Sequence, residues 1–250
     1  MTGWEPVFVL VAGILAGTIN TVVGSGTLIS FPVLLAVGLP PISANVSNTV
    51  GLFPGAFVGA YGYRRELEGQ RTRAIRMGSA SAIGAAGGAV LLLVLPADAF
   101  KAIVPVLIVL SLVLVVFGPR LTSWLGRAHR KHIDRVGVPM YLTTLGTGVY
   151  GGYFGAAQGV LLMGFMGLFL DEPLQRQNAL KNVLAGLVNL VAAIVFAFTA
   201  PVNWAAAGLV AAGSVVGGLL GAKLGRRLPP NVLRAVIVFV GLAAIVKLLV

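Results

Sequence analysis

Lys181 is the residue whose surroundings most suggest chemistry. The apolar segment 174–200 begins just after Pro173. At 1.5 Å per helical residue, Lys181 then lies roughly 10 Å along it. A lysine at that depth in a bilayer is costly unless it snorkels or pairs. The acidic residues near it, Asp171 and Glu172, belong to the preceding loop. An unpaired buried cation is a natural seat for an anionic substrate. Two other readings stay open: Lys181 snorkels to the interface, or it pairs with Glu172.

Amides surround this position. Asn178 and Asn182 flank Lys181, and Asn45, Asn48 and Thr49 form a matching group in the first half of the chain. Asn178 and Asn182 share a helix face at i, i+4 spacing, as do Asn45 and Thr49; Asn45 and Asn48 share one at i, i+3. Amides offer donors and acceptors without adding charge, which suits an oxyanion. The alternative is interhelical hydrogen bonding, worth about 0.6–2 kcal/mol in membrane bundles.

Backbone supplies a third set of candidates. Residues 20–27 read Asn20-Thr21-Val22-Val23-Gly24-Ser25-Gly26-Thr27, and 151–159 read Gly-Gly-Tyr-Phe-Gly-Ala-Ala-Gln158-Gly159. Each interior glycine costs a helix about 1 kcal/mol relative to alanine, so several together mark a break. Helix N-termini beyond such breaks carry partial positive charge and unpaired N–H groups that attract anions. The candidate substrate contacts here are Asn20, Thr21, Gly24, Ser25, Gly26, Thr27, Gln158 and Gly159. The competing reading is that these glycines only allow close helix packing, as expected at Gly13-Gly17, Gly55-Gly59, Gly84-Gly88 and Gly217-Gly221.

Other chemistries find no support. The chain has no cysteine and two histidines, His129 and His132, both in a basic loop without carboxylate partners. No metal, cofactor or catalytic residue is expected. No Asp, Glu or His is evident inside an apolar segment, so neither an intramembrane nucleophile–base pair nor a proton relay has a visible carrier. Arg176 reads as an interface anchor or a gate, and Asp98 with Lys101 as a surface pair.

The elements that must position these residues are membrane helices. Of 250 residues, 58% are hydrophobic and 10% charged; soluble domains carry about 25% charged residues. Mean hydropathy is +0.97. A span needs about 20 apolar residues, and segments 42–63, 75–95, 99–117, 174–200, 203–222 and 232–249 qualify. The third is expected to close at Gly118-Pro119. Residues 7–39 and 137–170 are each about 33 long and contain the two breaks. Broken backbone at membrane depth survives only where it lines a cavity or is buried in protein. The N-terminal residues Met1–Pro6 lack Lys and Arg, so the first apolar stretch is read as retained rather than as a signal peptide.

Charge sets the expected topology. Loops 64–76, 118–135 and 223–234 carry net charges of +3, +4 and +4, which account for the whole excess of +11. Membrane orientation explains this basicity, and no aromatic–basic motif suggests nucleic acid. Basic loops stay cytoplasmic. All three are on one side only if the second broken segment makes an even number of crossings, and the same hairpin in the first half leaves the N-terminus outside, where its lack of Lys and Arg fits. The two halves then begin on opposite sides, as in the inverted repeats of secondary transporters. At an offset of 133, Gly13 falls on Gly146, Gly26 on Gly159, Asn45 on Asn178, Asn48 on Lys181 and Thr49 on Asn182.

At Gly24-Ser-Gly-Thr-Leu-Ile-Ser-Phe-Pro32, Gly38-Leu39-Pro40-Pro41 and Ala44-Asn45…Asn48-Thr49, the chain resembles the sulfite exporter TauE/SafE family of membrane transporters. Gly151-Gly152-Tyr153-Phe154-Gly155 and Asn178-Ala179-Leu180-Lys181-Asn182 extend the likeness through the second half. The cluster Gly155-Ala156-Ala157-Gln158-Gly159 is less glycine-rich than the family usually shows. The resemblance implies movement of sulfite, sulfonates or other small organic anions. The expectation is thus an all-α, polytopic integral membrane protein forming a single membrane transport domain over 1–250. It has two inverted four-segment repeats, 7–117 and 137–249, joined by the cytoplasmic linker 118–135, each opening with a broken, re-entrant segment. It sits in the cell membrane and moves a small anion by alternating access. An anion channel and a non-transporting scaffold are the competing classes.

Overall fold

The computed structural model describes residues 3–128, 137–225, 235–242 and 245, with side chains up to Gly118 and from Gly137 onward. It is helical throughout, and no strand occurs among the described residues. The first apolar stretch divides into α1 (Glu5–Val22) and α2 (Thr27–Ala36). The long α3 (Pro41–Gly62) follows, then a 3-10 turn over Arg64–Leu67, α4 (Arg71–Val94) and α5 (Ala97–Ala128). The second half contains α6 (Val138–Tyr153), α7 (Gln158–Phe169), α8 (Leu174–Thr199) and α9 (Trp204–Leu224). Residues 235–242 are again helical.

Among the described residues, five helices are long and apolar enough to cross a membrane: α1, α4, α5 over Ala97–Gly118, α8 and α9. The structure departs from the sequence expectation at two places. Segment 42–63 is a helix, α3, but its first half carries Ser43, Asn45, Ser47, Asn48 and Thr49 and it is not among the five. Those polar residues from Asn45 to Thr49 are buried against other helices, so protein rather than lipid covers them. Segment 232–249 lies partly outside the described residues. The α5 helix does not close at Gly118-Pro119 but continues to Ala128. A proline removes one backbone donor, and a membrane helix tolerates that loss when its surroundings compensate. The basic stretch 118–135 is therefore helical in its first part, and 129–136 lies outside the described residues.

Both broken segments are present, and each break is short. Val23–Gly26 separates α1 from α2, and Phe154–Ala157 separates α6 from α7. The arms are unequal. With 18 and 16 residues, α1 and α6 are long; α2 and α7 have 10 and 12. The polar residues Asn20 and Thr21 belong to the end of α1, and Gly151-Gly152-Tyr153 to the end of α6. An isolated glycine weakens a helix without ending it. The first break holds one residue in the left-handed region, Gly24 at φ 87°, and the second holds two, Gly155 at φ 75° and Ala157 at φ 57°, which α-helical hydrogen bonding cannot follow.

Helices pack through small residues. α1 lies on α9, where Gly217 and Gly221 face the carbonyls of Ile14 and Thr18. α6 lies on α4, where Gly84 and Gly88 face the carbonyls of Leu145 and Val149. Such contacts let backbones approach closely, as lipid-embedded helices require. α3 and α8 pack on each other at the centre. An edge-to-face pair of Phe31 and Phe154, 5.4 Å between centroids, joins α2 to the second break, and Phe100 packs on both Tyr153 and Phe154. Large apolar side chains such as Val106, Phe198 and Phe239 point outward, a surface suited to lipid rather than water.

Candidate functional site

The site is built where the two breaks meet. Gly24 and Gly159 touch backbone to backbone: the Gly159 N–H donates to the Gly24 carbonyl at 3.0 Å. A Cβ on Gly159 would fall 2.5 Å from the Gly24 Cα and 2.9 Å from the Lys181 Cδ. Glycine at 159 therefore lets the second break reach the first and lets the lysine stem pass beside it.

Lys181 is fully buried, and it is the one charged side chain in the core among the described residues. Its Nζ donates to the carbonyls of Asn20 at 2.8 Å and Thr21 at 3.1 Å. Asn178 and Asn182 send their Nδ2 groups to the same Thr21 carbonyl, at 3.3 and 3.2 Å. One face of α8 thus caps the end of α1. The reason is electrostatic. A helix C-terminus exposes unpaired carbonyls carrying about half a negative charge, and an ammonium beside them is favoured. Lys181 neither snorkels nor pairs with Glu172. Two of its three donors are held by carbonyls.

The first-half residues take a parallel arrangement. Asn45, on α3, donates from Nδ2 to the Tyr153 carbonyl at the end of α6, at 3.0 Å. Asn48 instead joins α2: its Nδ2 donates to the Thr27 Oγ1 at 3.2 Å, and the Ser30 hydroxyl donates to its Oδ1. Thr49 donates to the Asn45 carbonyl within α3.

The expected free N–H groups are only partly available. At the start of α7, the Gly159 N–H is taken by Gly24 and the Gln158 N–H by the Gly155 carbonyl at 3.2 Å. Ser25 and Gln158 are buried at the mouths of α2 and α7, and the Ser25 Oγ and Gln158 Nε2 have no hydrogen-bond partner. The same holds for Thr21 Oγ1, Asn45 Oδ1, Asn178 Oδ1 and Asn182 Oδ1. Buried polar atoms without partners are uncommon in folded proteins; these six, with the Tyr153 hydroxyl, lie on residues at or packed against the breaks, and the Ser81 Oγ of α4 is another elsewhere.

The structure thus brings Asn20, Thr21, Asn178, Lys181 and Asn182 into one bonded group, and Gly24 with Gly159 into another beside it. Asn48 and Thr27 form a third, and Asn45 with Thr49 a fourth. Sequence reasoning missed the supports. Ser111 of α5 donates to the Ala156 carbonyl at 3.0 Å, and the Tyr150 hydroxyl reaches the same carbonyl. Ser30 was also missed. A lone serine within an apolar run, as at Ser111, was the available signal.

A second polar cluster ties the halves together away from the breaks. Glu172, in the loop before α8, bonds Arg73 of α4 at 2.7 Å and Arg176 at 2.6 Å. Arg176 also donates to the Glu68 carbonyl, and Gln70 donates to the carbonyls of Glu66 and Arg176. Burial raises the Glu172 carboxyl, but the two guanidinium hydrogen bonds and charges outweigh it and hold it below the usual value. Arg176 is therefore an interhelical tie. Asp98 and Lys101 form the expected surface pair at 3.4 Å.

Among the described residues, five apolar helices, an outward apolar surface and a group of buried polar residues between the helices define a multi-pass helical membrane protein. The family model "Sulfite exporter TauE/SafE" matches residues 9–248, and the chain belongs to that family. It is 30% identical over 246 residues to "Probable membrane transporter protein ORF9" of Sinorhizobium sp, covering 97% of this chain and 91% of that protein. It is 27% identical to "Probable membrane transporter protein YfcA" of Escherichia coli K12, covering 94% and 86%. A "Probable membrane transporter protein" of Haemophilus influenzae is 27% identical, covering 85% and 82%. No solved structure matches.

Proposed function

We propose that the protein is a secondary transporter that moves a small anion, sulfite or an organosulfonate, across the cell membrane by alternating access. The observation that carries the reading is Lys181: a fully buried ammonium at the junction of two broken helices, satisfied by neutral carbonyls and by no carboxylate among the described residues. Its remaining donor, with Ser25, Gln158 and the amides of Asn178 and Asn182, would bind the oxyanion. The sulfur preference rests on the family description alone.

The two-half, inverted architecture belongs to the same proposal. Three features support it. α3 and α8 start at Pro41 and Leu174, and α4 and α9 at Arg71 and Trp204, both pairs at the offset of 133. Of the three left-handed residues in the breaks, Gly24, Gly155 and Ala157, the first and last share that offset. Packing partners are exchanged between halves, α1 on α9 and α6 on α4. With the three basic loops cytoplasmic, the α1–α2 and α6–α7 segments act as hairpins whose breaks face each other. Broken helices around a central site are the usual construction of such carriers.

The test is tracer sulfite flux into proteoliposomes containing wild type or Lys181→Met. Saturable wild-type flux lost in a folded mutant supports the anion site. Equal flux in both makes Lys181 a structural cap only. Without wild-type flux, sulfite is discarded, and a panel of sulfonates and carboxylates decides whether any anion is carried. Non-saturable flux would favour a channel.

A further inference from the structure

The two halves end their long first helices differently, and the difference has a chemical meaning. At the end of α1, the Asn20 and Thr21 carbonyls receive four hydrogen bonds, two of them from the Lys181 ammonium. At the offset of 133 the corresponding carbonyls are those of Tyr153 and Phe154, at the end of α6. Tyr153 receives one bond, from the neutral amide of Asn45. No described bond reaches the Phe154 carbonyl. Both residues are buried, at 7% and 2% exposure.

A helix terminus with the same partial negative charge is thus neutralised by the chain's own cation in one half and by none in the other. The residue at the matching position, Asn48, is engaged with Thr27 and Ser30 of α2. A second, independent feature lies at the α6 end. Asn45 is 1% exposed, and its Oδ1 has no partner. That oxygen shares an amide with the Nδ2 that bonds the Tyr153 carbonyl, so it lies close to that carbonyl, one residue from Phe154.

We infer that the C-terminal end of α6 binds a monovalent alkali cation, sodium in the first instance, through the Tyr153 and Phe154 carbonyls and the Asn45 Oδ1. The inference rests on the two-half reading proposed above. The donor set is neutral and made of hard oxygens, which suits a singly charged ion; divalent sites recruit carboxylates, and no His, Cys, Asp or Glu group capable of holding a metal occurs among the described residues. Carbonyls at unwound or terminal helix ends are the usual ligands for coupling sodium in carriers with broken helices. In this chain the bound cation would do for α6 what Lys181 does for α1, and would supply the co-ion that no embedded acid provides.

Thermal unfolding of the purified full-length protein in detergent tests this, at constant chloride, with sodium replaced by choline. The expected result is a saturable rise of several degrees in sodium that choline does not give. Asn45→Ala should raise the half-saturating sodium concentration at least tenfold. Asn48→Lys supplies a tethered ammonium at the position matching Lys181 and should abolish the sodium dependence while raising the unfolding temperature in choline. Identical wild-type unfolding in sodium and choline overturns the inference. So does a sodium response unchanged in Asn45→Ala, or retained in folded Asn48→Lys. The readout does not depend on transport. Sulfite flux by a protein indifferent to sodium would remove this site and keep the substrate; a sodium response without flux of any anion would do the reverse.

Discussion

Gly24→Ala tests whether the contact between the two breaks organises the protein. Gly24 has φ +87°, and a Cβ there would stand 2.4 Å from the Gly159 Cα and 2.9 Å from its carbonyl carbon. Two costs follow. Placing alanine in the left-handed region costs about 1–2 kcal/mol. Forcing a methyl into backbone that cannot rotate away costs about 1–3 kcal/mol. Their sum, roughly 2–5 kcal/mol, is a large share of the stability of an ordinary domain. Gly159→Ala has no φ penalty, so its expected cost is about 1–3 kcal/mol. Gly146→Ala is the control: it lies within α6 with nothing inside 4 Å of a Cβ, and it should stabilise by about 0.5–1 kcal/mol. Equilibrium unfolding in mixed micelles, followed by tryptophan fluorescence, measures all three. The expected order of stability is Gly146→Ala, wild type, Gly159→Ala, Gly24→Ala. If Gly24→Ala unfolds with or after Gly146→Ala, the breaks do not touch as described and the site built on them fails.

Other expectations follow from the same geometry. Glu172→Gln should cost about 1–2 kcal/mol at neutral pH by weakening two charge-assisted bonds. Because the Glu172 carboxyl is held below its ordinary value of 4.5, its contribution is present above that pH and is lost as pH falls through the lower folded value; the stability gap between wild type and Glu172→Gln should close on acidification, and a constant gap would refute the tie. Ser111→Ala and Tyr150→Phe each remove a donor to the Ala156 carbonyl and should cost about 1 kcal/mol, with a double mutant departing from additivity in a thermodynamic cycle. Single cysteines introduced at Arg65, Arg130 and Arg227 into this cysteine-free chain should all resist an impermeant thiol reagent added outside intact cells; labelling of any one would overturn the assigned orientation.

Much of the architecture was legible in one dimension. Apolar length, the scarcity of charge and the positions of Gly and Pro follow from the bilayer's demand for satisfied backbone, so helices and both interruptions could be located by reading along the chain. The α5 end could not. Whether Gly118-Pro119 stops a helix depends on what surrounds the lost hydrogen bond, and the helix runs on to Ala128. The polar first half of α3 had the same ambiguity, resolved by burial against neighbouring helices.

The residues of the candidate site were legible by type, but their partners were not. The sequence by itself determined that Lys181 stands within an apolar segment between two amides, Asn178 and Asn182, because residue type and position along a helix are local properties. Only the tertiary structure decided that its ammonium meets Asn20 and Thr21, 161 and 160 residues away, that Gly159 closes on Gly24, and that Glu172 turns to Arg73 rather than to Lys181. Those pairings depend on which helix ends the fold brings together, and a carbonyl left bare by a helix break shows no sign in the sequence of the donor that will cover it.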